Sequence, residues 1–164
     1  MRRVTAILSV AAVVLMAAGL VAQAKPSFAG EWKIVADPPD GGGGRGGGPG
    51  IDLTITQGAT AMTLEYMGGQ APAPVKLTYK LDGSVSKNMM AGRGGGAPTE
   101  QVSKAMWVDN NIVVTTTTGA GEEKRRFSME GGCLVVQTSA PARDGRAPNV
   151  TKVTYKRYER GYGG

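Results

Sequence analysis

The sequence predicts an all-β protein: a single antiparallel up-and-down meander closed into a barrel of about ten strands, with no substantial helix in the mature chain. Three observations carry this prediction. Apolar and polar residues alternate with period two through most of Phe28–Tyr158, and no helical periodicity of useful length appears there. The alternating runs are rich in Val, Thr, Ile and Tyr and are bounded by Gly, Pro, Asn and Asp. Long connections come only at odd-numbered positions in the series, whereas every even-numbered one is tight. In an antiparallel meander, odd and even connections fall at opposite ends. One end is therefore expected to be tightly turned and the other to carry long loops. Closure into a barrel removes the two free edges. A two-sheet sandwich is the alternative arrangement, but it usually needs crossover connections, and nothing here demands one.

The chain has 164 residues, enough for one domain. Residues 1–24 read as a signal peptide: basic Met1-Arg2-Arg3, an apolar run from Val4 to Val21, and the small-x-small site Ala22-Gln23-Ala24. Export to the periplasm or the extracellular space is the expected consequence. Removing Arg2 and Arg3 with the leader leaves 17 basic residues against 13 acidic ones, a net charge of +4. Residues 25–158 form the expected barrel domain and 159–164 a flexible tail. The single cysteine excludes an internal disulfide. Cys133 alternates with Val135 and is expected in the core.

Phe28–Val35 is the first strand and puts Phe28, Gly30, Trp32 and Ile34 on one face. Residues 37–50 hold eight glycines and three prolines around Arg45, and glycine loses too much backbone entropy for such a stretch to order as strand or helix. Ile51–Gln57 alternates with Leu53 and Ile55 on one side, and Ala61–Met67 returns with Met62, Leu64 and Tyr66. Val75–Leu81 carries Leu77 and Tyr79 against Lys76, Thr78 and Lys80. Asp82-Gly83 signals a hairpin into Ser84–Met90. A second glycine-rich loop surrounds Arg93. Gln101–Val108 contains Trp107, whose face companions Ser103 and Ala105 are small, which leaves open whether that face points inward. Ile112–Thr118, Glu122–Met129 with Phe127, and Cys133–Ser139 with Leu134 and Val136 follow across short turns. A third long loop holds Arg143 and Arg146, and Val150–Tyr158 with Val153 and Tyr155 is the last strand. The residues named on one face supply the expected interior.

Chemistry is constrained by what is missing. With no histidine, the commonest general base and metal ligand is absent. Glu122-Glu123 beside Lys124-Arg125-Arg126 reads as a solvated charge cluster, and the six methionines of the mature chain as core filling. Asp37 and Asp40 lack calcium-loop spacing. No metal site, cofactor or catalytic residue is predicted. The glycine–arginine stretches around Arg45 and Arg93 have one arginine each, too few for a nucleic-acid segment. The strands are short for a bilayer, and their second faces carry Lys76, Lys80, Lys104, Lys124 and Arg126, so a soluble rather than membrane-spanning barrel is expected.

Gly30-Glu31-Trp32 on the first strand, with Lys156-Arg157-Tyr158 on the last, resembles the lipocalin and fatty-acid-binding protein group, and more closely the lipocalin-like, calycin-type exported proteins of bacteria. The resemblance covers most of residues 28–158. It implies structural closure of one barrel end by Gly30 and Trp32, with Lys156 or Arg157 packed over the indole. It also implies a small, largely apolar ligand. Two features depart from fatty-acid-binding proteins: residues 37–50 cannot form their helical lid, and no interior arginine–tyrosine carboxylate clamp is identifiable. The expected function is a non-enzymatic binding module whose ligand enters at the long-loop end. Tyr66, Tyr79 and Trp107 would contact it inside, with Arg45, Arg93, Arg143 and Arg146 at the mouth. The alternative is an envelope or interaction protein with a filled barrel that contacts another macromolecule through its Gly/Arg loops.

Overall fold

The computed structural model describes residues 24–35, 52–67, 73–90, 96–142 and 147–159. The leader up to residue 23, the loop arginines Arg45, Arg93, Arg143 and Arg146, and residues 160–164 lie outside them. The described residues form ten strands and no helix. The strands are β1 (Gly30–Ile34), β2 (Asp52–Gln57), β3 (Ala61–Tyr66), β4 (Val75–Lys80), β5 (Asp82–Met90), β6 (Thr99–Val108), β7 (Asn111–Thr118), β8 (Gly121–Glu130), β9 (Cys133–Ala140) and β10 (Asn149–Arg157). All pairings are antiparallel, in the spatial order β4-β3-β2-β1-β10-β9-β8-β7-β6-β5. The first strand pairs with the last, with Trp32 opposite Arg157. The result is the up-and-down meander that the alternation predicts, wound into a nearly closed barrel.

The barrel does not close by hydrogen-bond ladder between β4 and β5. Asp82-Gly83 was expected to form a hairpin turn there. Instead the chain turns at Leu81, and Asp82 and Gly83 already belong to β5. The Leu81 amide donates to the Thr60 carbonyl on the β3 side (2.8 Å). Asp82 pairs with Met106 of β6, and a register shift follows before Val85. Gly83 takes φ +81°, and the Asp82 carboxylate accepts from the Ser84 amide (2.9 Å), so the local chemistry bends β5 away from its predecessor. Side chains span the seam. The Thr78 amide donates to Asn88 Oδ1 (2.7 Å), Asn88 Nδ2 donates to the Thr78 carbonyl (3.1 Å), and the Lys80 amide donates to Ser86 Oγ (2.9 Å). Asn88→Ala is expected to cost about 2 kcal/mol, because it removes two bonds and strands a backbone amide. Urea unfolding would read the loss, and faster hydrogen exchange at the Thr78 amide would localise it.

Inward positions alternate along every strand. Leu53, Ile55, Met62, Leu64, Leu77, Tyr79, Ile112, Val114, Phe127, Leu134, Val136 and Tyr155 are buried in one cluster with Phe28 and Trp32. Tyr66, Trp107 and Val153, expected inside, are half-buried against it. Ile34, also expected inside, is 40% exposed at the open end of its short strand. Cys133 is half-buried rather than core: Leu134 and Val136 take the inward positions of β9, which leaves Cys133 on the outer face.

Strand parity sorts the ends. The tight turns at 58–60, 81, 109–110 and 131–132 lie at one end, together with the start of β1 and the finish of β10. That end is plugged. Phe28 is fully buried and stacks on Trp107 (centroids 5.8 Å apart), and its amide donates to Gln57 Oε1 (2.7 Å). Trp32 Nε1 donates to the Phe28 carbonyl (2.9 Å). The Arg157 guanidinium sits 4.6 Å from the Trp32 ring centroid and donates to the Ala29 carbonyl (2.9 Å). Gly30 has φ +144°, a backbone conformation that favours glycine, and a Cβ there would stand 2.7 Å from Arg157 Nη1 and displace the guanidinium.

A buried ion pair among tyrosines as the candidate functional site

Strand β8 carries the run Glu122-Glu123-Lys124-Arg125-Arg126-Phe127, and period-two geometry splits it. Phe127 is fully buried, so Arg125 and Glu123 share its inward face, whereas Glu122, Lys124 and Arg126 are exposed outside. A solvated charge cluster was expected for the whole run. Two of its five charged side chains, Glu123 and Arg125, instead lie within the barrel. Arg125 Nη2 donates to Glu123 Oε1 (2.9 Å), and the two side chains are only 13% and 19% exposed. Arg125 is flanked in register by buried Val114 and Thr138, and Glu123 by buried Thr116. Thr116 and Ser103 share a hydroxyl hydrogen bond (2.9 Å). Toward the open end this interior is therefore polar, and toward the plugged end apolar and aromatic.

Three phenols lie within electrostatic reach of the guanidinium. Burial raises the Tyr66 phenol above its ordinary range and pushes Tyr79 up to about 12. Burial likewise raises Tyr155, and the positive field of Arg125 opposes the rise at all three. At neutral pH each is a protonated O–H group that can donate. Two buried polar atoms have no partner among the described residues: Arg125 Nε and Gln101 Oε1. Buried polar groups are otherwise almost always paired.

The raised phenols carry a pH prediction. Between about pH 10 and 12 the unfolded chain has lost phenolic protons that folded Tyr79 keeps. Stability is therefore full below pH 10 and falls as pH rises through that window. Urea midpoints across the alkaline range should fall there, and the tyrosinate absorbance due to Tyr66, Tyr79 and Tyr155 should rise with unfolding rather than before it. Early ionisation of every tyrosine in the folded protein would count against these burials.

Of the residues expected to contact a ligand, Tyr66 and Tyr79 join this group. Trp107 does not: it lies near the Asp109 turn at the plugged end, stacked on Phe28, with the Lys25 ammonium 4.9 Å from its ring. Of the two basic residues expected near Trp32, Arg157 covers the ring. Lys156, one position earlier in an alternating strand, is exposed on the outer face. The site residues missed in the sequence are Glu123, Arg125 and Gln101. Their signal was the shared parity of residues 123, 125 and 127.

No protein-family model and no curated protein matches the chain. Among solved structures it is similar to the fluorescent protein UnaG, both wild type and a point mutant. Each is 20% identical with a TM-score of 0.54; the match covers 80% of this chain and 96% of the mutant or 97% of the wild type. At that identity the likeness shows the fold alone: an antiparallel β-barrel.

Proposed function

We propose that this chain is an exported, non-enzymatic binding protein that takes a small, largely apolar ligand into the barrel and holds the ligand's polar group at Arg125. The observation that carries this reading is the inward Arg125, whose buried Nε has no partner among the described residues, beside three protonated phenols. The apolar lining below it would receive the rest of the ligand. The aromatic plug favours entry from the opposite end, where β1, β3, β5, β7 and β9 finish. The similarity in fold to UnaG supports a barrel built around a guest. Exposed Lys76, Lys80, Lys104, Lys124 and Arg126 on the outer faces favour a barrel surrounded by water. Export rests on the reading of residues 1–24 and predicts an exported polypeptide that begins at Lys25.

Native mass spectrometry of protein purified from its own host, together with titration by the neutral apolar dye Nile red, tests the reading. A bound small molecule, or saturable one-to-one dye uptake, is the expected result. A bare polypeptide mass with no uptake would sink it and favour a filled barrel that acts through its loops.

A further inference from the structure

We infer that the polar group bound at Arg125 is uncharged, an amide or an alcohol rather than a carboxylate. This inference rests on the binding reading above and narrows it to a ligand class. Arg125 is not a free cation: Glu123 holds its Nη2 from the same strand at 2.9 Å. Among the described residues no other inward side chain is charged, apart from Arg157 in the plug at the far end. Among the described residues the half of the interior around Arg125 therefore carries a net charge of zero.

A ligand carboxylate reaching Arg125 Nε would share one guanidinium with the Glu123 carboxylate. The two like charges would face each other where water is scarce and screening weak. A carbonyl or hydroxyl oxygen accepts from the same Nε without that repulsion. The phenols of Tyr66, Tyr79 and Tyr155 are neutral donors and add no charge to attract an anion. Glu123 thus acts as a specificity residue: it satisfies Arg125 enough to repel acids and leaves Nε to neutral acceptors.

The test uses the purified protein loaded with Nile red and displaced by three competitors of one chain length: dodecanamide, dodecanol and dodecanoate. At about pH 8, where the acid is ionised, the amide and the alcohol are expected to displace dye at concentrations on the order of tenfold below the carboxylate. Glu123→Gln removes the competing charge and is expected to lift carboxylate affinity about tenfold relative to that of the amide. Equal or tighter binding of dodecanoate to the unaltered protein overturns the inference while leaving the binding reading intact. Absence of Nile red uptake overturns both. The unaltered protein decides the question even where the variant folds poorly.

Discussion

Trp32→Ala is expected to lower unfolding stability by about 3–5 kcal/mol, the range for deleting a large aromatic from a packed core. Trp32 is 1% exposed and stands opposite Leu53 on β2 and Arg157 on β10, so the indole fills space at the point where the first and last strands meet. Its removal also orphans groups. The Phe28 carbonyl loses the Nε1 donor, and Arg157 loses the ring face beneath it. An exposed cation on an aromatic face contributes about 0.5–1 kcal/mol, so Arg157→Met should show a smaller loss of that size. Trp107→Ala is the internal control. That side chain is half-buried and stacks on Phe28 from the rim, so its loss should stay near half of the Trp32 value. Guanidinium unfolding followed by far-UV circular dichroism reads all three without depending on indole fluorescence. A Trp32→Ala loss well under 1 kcal/mol would mean that the plug does not hold the barrel end.

The strands and their order are legible in the sequence because one physical rule, alternation on a pleated surface, decides both. Every expected strand is present, with its ends within about two residues, and the parity of long and short connections placed the plugged end before any contact was known. The β4–β5 seam was not legible. Asp82-Gly83 is a local signal for a turn, and it delivers a bend with positive φ at Gly83. Whether the strands that flank a bend then pair depends on distant partners: Thr60 on one side, Met106 on the other. The ion pair failed to register for a different reason. Five consecutive charged residues suggest solvent, yet consecutive residues on a strand face opposite ways. Phe127 fixed the parity of Arg125 and Glu123 from the sequence alone. What the sequence did not contain was the offset for burying them, which comes from the Glu123–Arg125 contact.

Arg125→Met is expected to cost about 3 kcal/mol, the lower end of what breaking a buried ion pair costs, because Glu123 keeps some access to water. The loss is not the value of the pair. It is the penalty of leaving the Glu123 carboxylate inside the barrel without its cation, with three phenols and a hydroxyl pair as the remaining polar company. Removing both charges separates the two quantities. Arg125→Met with Glu123→Leu should return to within about 1 kcal/mol of the unaltered protein, or exceed it, since hydrophobic replacement of a buried pair is often neutral or stabilising. The coupling energy of that cycle, about 2–3 kcal/mol by this reasoning, would be close to zero if both side chains lay in solvent. A double variant that is as stable as the parent but no longer takes up an amide would show that the fold does not need the pair. Arg125 and Glu123 would then be in the barrel for the molecule they bind.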